Sequence, residues 1–283
     1  MPVWSATKEE FSMKLGKVLY ILAIVLLAGV FCVSAFYVGS YLLESNQQKS
    51  EYDELVSIME NIQSSRPPVS HTKPTIPVDS EIPDETTEPT EPEILPEYLQ
   101  LYEMNHDMVG WIKIEGTPIN YPVMQTPNDP DFYLDHNFKG EYSRFGCIYA
   151  RESCDITTPS DNVTLYGHHM RDNSMFASLN GYGSKAFYDT HQQVYFDTLT
   201  EYHTYQIFAV FKTSASVGKG FSYHRFENAA NQAEFDEFVA QCKALSFYDT
   251  GHTPVYGDKL ICLSTCEYTL ENGRLVVVAY RIS

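Results

Sequence analysis

The stretch KLICLSTCEYTLENGRLVVVAYRI, residues 259–282, decides the architecture. Two apolar, β-branched runs flank a short connection in which Asn272-Gly273 supplies the backbone freedom of a tight turn. Strands joined so closely run antiparallel. Cys266, at the end of the first, then faces Arg274, at the start of the second. A guanidinium beside a thiol favours the thiolate and can also hold a developing oxyanion. Cys262 lies four residues before Cys266, on the same strand face, and reads as core.

Working outward, further apolar runs of strand length alternate with turn signals: WIKI (111–114), NYPVM (120–124), GCIYA (146–150), NVTLYGH (162–168), QVYFDTL (193–199) and YQIFAVFKT (205–213). Helical spacing appears at EYLQLYEMNHDM (97–108), MFASLNGY (175–182) and NAANQAEFDEFVAQCKAL (228–245). The last has Phe235, Phe238, Val239 and Cys242 on one face. Many strands and few helices predict a mostly β barrel or sandwich with helical insertions. His168 ends the 162–168 run, directly after Gly167, and has the residue type for passing a proton to a leaving amine. His169 is a second candidate, which alternation puts on the opposite face. Taken singly, Cys266 reads as a small buried hydrophobe and Arg274 as a solvated side chain. Together, Cys, His and Arg at strand edges suit a thioacyl intermediate formed from a peptide bond.

The rest of the chain is different in kind. Residues 1–43, 44–97 and 98–283 carry net charges of +1, −10 and −9, and the total of −18 excludes the electrostatic footprint of a nucleic-acid binder. No residue from Val18 to Leu43 is charged, so 18–43 reads as a transmembrane anchor. Lys8, Lys14 and Lys17 precede it, which assigns 1–17 to the cytoplasm and the bulk to the outside. The alternative is a cleaved signal peptide, since Val33-Ser34-Ala35 resembles a small-x-small site. Residues 44–62 have scattered apolar positions suited to a short exposed helix. Residues 64–97 are rich in Pro, Thr and Glu, cannot offset their ordering entropy, and complete a stalk over 44–97. The remaining 98–283 is long enough for one well-buried core. Cys147 and Cys154 flank a short loop and could pair as a disulfide. The histidines and cysteines lack tight ligand spacing, so neither a metal site nor a cofactor is expected.

These residues together resemble the sortases, in their class B form. The resemblance rests on Leu-Ser-Thr-Cys266-Glu with Arg274 eight residues on, and on Tyr166-Gly167-His168 followed by Asn173-Ser174-Met175-Phe176. VGWIKIEGTPINYPVMQ (109–125), FYLDHNFKGEY (132–142) and the helix at 228–245 add to it. It implies a closed β-barrel and a cysteine transpeptidase at the outer membrane face. Such an enzyme cleaves a C-terminal sorting signal, often Asn-Pro-x-Thr-Asn or -Gly, after its Thr. It passes the secreted protein to an amine of the peptidoglycan precursor or cross-bridge. Carried over by position, Cys266 is the nucleophile, His168 the general acid/base and Arg274 the oxyanion group. Tyr166, Ser264, Glu267, Leu134 and Tyr223 would lie near the bound peptide. His224 and Tyr268 depart from some relatives, and no carboxylate stands out to orient His168. Rival readings are a thiol peptidase that uses water, a stalked surface-binding module without catalysis, and a pilus-polymerising enzyme.

Overall fold

The hairpin of residues 259–282 forms as the sequence demands. In the computed structural model, which describes residues 4–64, 93–216 and 218–283, β7 (Leu260–Glu267) and β8 (Gly273–Arg281) are antiparallel, with Cys262 opposite Val278 and Cys266 opposite Arg274. Asn272 takes the left-handed conformation, φ 50°, that turns the chain. The other strands are β1 (Met108–Lys113), β2 (Asn120–Met124), β3 (Ile148–Ala150), β4 (Asn162–Tyr166), β5 (Gln193–Thr198) and β6 (Thr204–Ser214). They close into a barrel in the order β1-β2-β3-β4-β7-β8-β6-β5, with β2–β3 and β4–β7 parallel and the other pairs antiparallel.

The unbroken apolar runs of β7 and β8 follow from burial on both faces. Ile261, Leu263, Leu275, Val277 and Ala279 point into the barrel and join its main core. Leu260, Cys262, Val276 and Val278 point outward and are covered by Phe235, Phe238, Val239 and Cys242 of α4 (Gln232–Leu245). The stripe read from the sequence is therefore the buried one. Asn231 caps this helix, its side chain accepting from the Glu234 N–H at 3.2 Å.

Several local expectations change. The helix expected over 97–108 is α2 (Pro96–Met104) and stops there, because Asn105 turns the chain, bonding Tyr133 and the Phe138 carbonyl through its amide. The helix expected over 175–182 is a run of 3-10 turns, Ala177–Gly183. It leads into α3 (Lys185–Thr190), which the periodicity did not suggest. β4 ends two residues early, since Gly167 lies against Ile148 and Phe176, where a Cβ would come within 2.5 Å. The disulfide that Cys147 and Cys154 could have made is absent; both thiols are free, with Cys147 bonded to the Tyr52 hydroxyl and Cys154 to the Asn162 carbonyl.

The largest difference lies before the domain. Helix α1 runs Trp4–Ser64 and holds one stretch long and apolar enough to cross a membrane. The chain divides into one unit through Ser50 and a second from Glu51 onward. Residues 51–64 are thus part of the second unit and not an exposed helix of the stalk. Tyr52, Leu55 and Met59 lie one helical face apart and are buried in the main core. The Tyr52 ring meets Tyr121 edge-on at 4.8 Å and its hydroxyl donates to the Gly146 carbonyl. Of the stalk expected over 44–97, residues 65–92 lie outside the described residues.

This packing carries a prediction. Leu55 is 1% exposed, so Leu55→Ala should cost about 2–5 kcal/mol. In a domain of this size that lowers the thermal midpoint of a soluble 51–283 fragment by about 5–15 °C. Glu54→Ala, on the exposed face, should leave it unchanged. Equal midpoints for the two variants, read by calorimetry, would show that the segment contributes no packing.

Candidate active site

Strand register builds the site. On the outer face of β7, Leu260, Cys262, Ser264 and Cys266 follow one another at period two. Helix α4 covers the first two, and Cys266 is left half-buried at the uncovered end. β8 places Arg274 beside it as its register partner. On the other edge, β4 runs parallel to β7 with Tyr166 opposite Ser264. The Gly167 N–H donates to the Ser264 carbonyl at 3.2 Å, and the Thr265 hydroxyl donates to the Gly167 carbonyl at 2.8 Å. These bonds carry His168 alongside the end of β7. The three residues expected to do chemistry are thus brought to one end of three adjacent strands.

His168 is oriented by a backbone group. Its Nε2 lies 2.7 Å from the Leu134 carbonyl. A carbonyl only accepts, so Nε2 carries a proton. Leu134 closes the 3-10 turn Phe132–Leu134, which the Cys147 N–H ties down by donating to the Tyr133 carbonyl at 2.9 Å. At φ 57° Gly146 sits so close that a Cβ would be 2.5 Å from the Leu134 oxygen. The side chain of Leu134 is exposed beside the site. Arg274 folds back on its own turn, its Nη1 donating to the Gly273 carbonyl at 3.0 Å.

Tyrosines floor the groove. Tyr223, in the 3-10 turn Tyr223–Arg225, is buried and shares a 2.5 Å hydrogen bond with the Ser264 hydroxyl. Burial pushes its phenol up to about 12. Tyr166 stacks at a tilt on Tyr149, ring centroids 5.4 Å apart, and burial raises both phenols. Tyr149, which sequence reasoning missed, is near enough to Arg274 for that guanidinium to oppose the burial that raises its phenol. It lies on β3 in no recognisable motif, so no local signal marked it. Around these rings, Arg151 donates to the His224 carbonyl, and burial followed by the Arg151 charge lowers the His224 pKa. Arg281 pairs with Tyr205 at the far end of β8, away from Cys266.

Glu267 does not belong to the groove. It follows Cys266 and so points to the opposite face of the strand. Its buried carboxylate bonds Lys212 Nζ at 2.8 Å and accepts the N–H groups of Thr269 and Leu270. Burial pushes this carboxyl up, but the bonds from Lys212 and Thr269 outweigh burial and bring it down to about 2. The residue ties the β7–β8 turn to β6. Tyr268, 75% exposed, sets its ring 5.3 Å from that of His169.

Comparison with known proteins agrees with this geometry. The Sortase domain family model matches residues 112–282. Sortase B of Listeria monocytogenes is 32% identical over 253 residues, covering 88% of this chain and 91% of that protein. Sortase B of Staphylococcus aureus is 34% identical over 188 residues, covering 66% and 75%. The structure of a Staphylococcus aureus sortase B–substrate complex superposes with a TM-score of 0.70 at 28% identity, over 85% of this chain and 99% of that one.

The Glu267 carboxylate sets an expected pH response. Its pKa is depressed on folding, so its stabilising contribution is complete above the ordinary value near 4.5 and disappears as pH falls toward about 2. Glu267→Gln should be less stable than wild type at pH 7 and should lose less stability between pH 5 and 3. Urea unfolding at those three pH values checks this; parallel stability curves for the two proteins would refute it.

Proposed function

The chain belongs to the sortase family, in its class B branch, and on that footing we propose that it is a membrane-anchored cysteine transpeptidase of the cell surface. The observation that carries the reading is the β4–β7–β8 register, which sets Cys266 beside Arg274 and draws His168 alongside. Among the five cysteines of the second unit, the other four are buried. Burial raises the Cys147 thiol to about 12 and the Cys154 thiol to about 11, and it raises those of Cys242 and Cys262 as well. Cys266 is the accessible nucleophile among them.

The chemistry follows from the atoms. His168 Nδ1 takes the Cys266 thiol proton, and the sulfur attacks the Thr carbonyl carbon of a sorting signal of the Asn-Pro-x-Thr-Asn or -Gly type. Arg274 turns from its own carbonyls to the oxyanion. As the C–N bond breaks, His168 returns the proton to the leaving amine, and a thioester joins the acyl group to Cys266. An amine of the peptidoglycan precursor or cross-bridge then attacks the thioester carbonyl. His168 takes its proton, and Cys266 leaves and is reprotonated. Tyr166 and Leu134 line the bound peptide, while Ser264 and Tyr223 are buried and bonded to each other.

The apolar stretch of α1 anchors the enzyme. Lys8, Lys14 and Lys17 keep the N-terminus cytoplasmic, and the barrel lies outside.

The test uses a 51–283 fragment with quenched peptides ending in Asn-Pro-x-Thr-Asn or -Gly, with and without a glycine-type amine, read by mass spectrometry. Cleavage after Thr with amine capture is expected. Cys266→Ala should abolish it, and Arg274→Ala should lower kcat about 10²- to 10³-fold. Cleavage with water as the only acceptor would favour a hydrolytic thiol peptidase. No cleavage and no adduct on Cys266 would favour a surface-binding module.

A further inference from the structure

The histidine that follows His168 makes contacts of its own to the end of β7. His169 Nδ1 lies 2.9 Å from the Cys266 carbonyl oxygen, and His169 Nε2 lies 2.9 Å from Asn180 Nδ2. The first contact requires an N–H on Nδ1, because a carbonyl only accepts. The second requires a lone pair on Nε2, because an amide NH₂ only donates. Both are satisfied by a single state, the neutral ring protonated at Nδ1.

The place of this bond in the sheet is specific. In the parallel β4–β7 ladder, the Gly167 N–H donates to the Ser264 carbonyl. The next acceptor on that edge of β7 is the Cys266 carbonyl, and a continuing strand would meet it with the N–H of residue 169. The strand does not continue. The chain turns back at 170–175, where Asn173 and Met175 take φ of 66° and 55°, and the backbone of His169 bridges Met175. The Phe176 N–H takes the His168 carbonyl at 3.0 Å. The His169 imidazole stands in for the missing backbone donor. Without it the carbonyl of the nucleophile's own residue loses its partner at the point where β7 frays into the turn.

We propose that His169 is a positioning residue of the active site: its Nδ1–H holds the Cys266 peptide unit in the ladder, and Asn180 fixes the ring's tautomer and orientation. Tyr268 adds a second support, its ring against the imidazole and its hydroxyl donating to the His169 carbonyl at 3.4 Å. The pair His168–His169 thereby divides two tasks across the two faces of one chain segment. His168 faces the thiol's side of the sheet, and His169 secures the thiol's backbone. The kinetic consequence rests on the transpeptidase reading; the hydrogen-bond geometry does not.

The substitution series separates positioning from simple folding. An Asn side chain places its amide nitrogen where a histidine places Nδ1, so His169→Asn keeps a donor for the Cys266 carbonyl. His169→Phe keeps the ring without one. On the 51–283 fragment we expect His169→Phe to lower kcat about 10- to 100-fold with KM within about twofold, the scale expected of a small misplacement of a reacting atom. His169→Asn should recover to within about threefold of wild type, and Asn180→Leu should fall between. A Phe variant within twofold of wild type, or an Asn variant as impaired as Phe, would overturn the proposal. Two-dimensional ¹⁵N–¹H spectra of histidine-labelled wild-type fragment read the ring directly. His169 should show the neutral tautomer protonated at Nδ1, and protonation at Nε2 alone would overturn the proposal. Should wild type cleave no sorting peptide, the transpeptidase reading fails, while these spectra still decide whether His169 is bound as described.

Discussion

Strand β7 is held on both edges and both faces, and every other feature of the site depends on that. β4 fixes one edge in parallel and β8 fixes the other in antiparallel register. The barrel core buries one face and α4 the other. A strand so confined has no freedom to slip, because a shift of one residue would turn Ile261 and Leu263 out of the core and Cys262 into it. The cover of α4 ends before Cys266. Cys266 thus stands at the first position where a rigid strand emerges from that cover, which gives its thiol both fixed geometry and access.

The charged groups near this point are arranged to leave the groove face to Arg274. The β7 carboxylate nearest the thiol, that of Glu267, is on the opposite face and bound to Lys212 and to the N–H groups of Thr269 and Leu270. Its negative charge is spent on closing the β7–β8 turn. The groove itself is floored by Tyr149, Tyr166 and Tyr223, whose phenols burial keeps neutral. The half-buried Cys266 thiol therefore has neutral hydroxyls and one guanidinium for neighbours.

What the sequence disclosed follows the range of the interactions. The β7–β8 hairpin was legible because Asn272-Gly273 joins two strands locally, and local pairing is enough to set Cys266 against Arg274. The buried stripe of α4 was legible from its spacing alone. The meeting of β4 with β7 joins residues about a hundred apart, and only the resemblance to a known family placed His168 there. The docking of residues 51–64 was missed although Tyr52, Leu55, Val56 and Met59 already show the spacing of a buried helical stripe, because nothing local names the surface that covers it. Glu267 is the opposite case. Alternation from Cys266 already turned it to the other face, yet the resemblance to a known family suggested a role beside the peptide.

The means of orienting His168 completes the physical picture. In a triad with a carboxylate, the third member both aligns the imidazole and stabilises its protonated form. The Leu134 carbonyl aligns the ring and fixes the proton on Nε2 but brings only a dipole. A carbonyl in a turn that Gly146 approaches closely supplies direction without a full charge. The orienting group is then set by backbone geometry, and the demand falls on a glycine at positive φ and a short 3-10 turn, residues whose importance no charge pattern in the sequence would reveal.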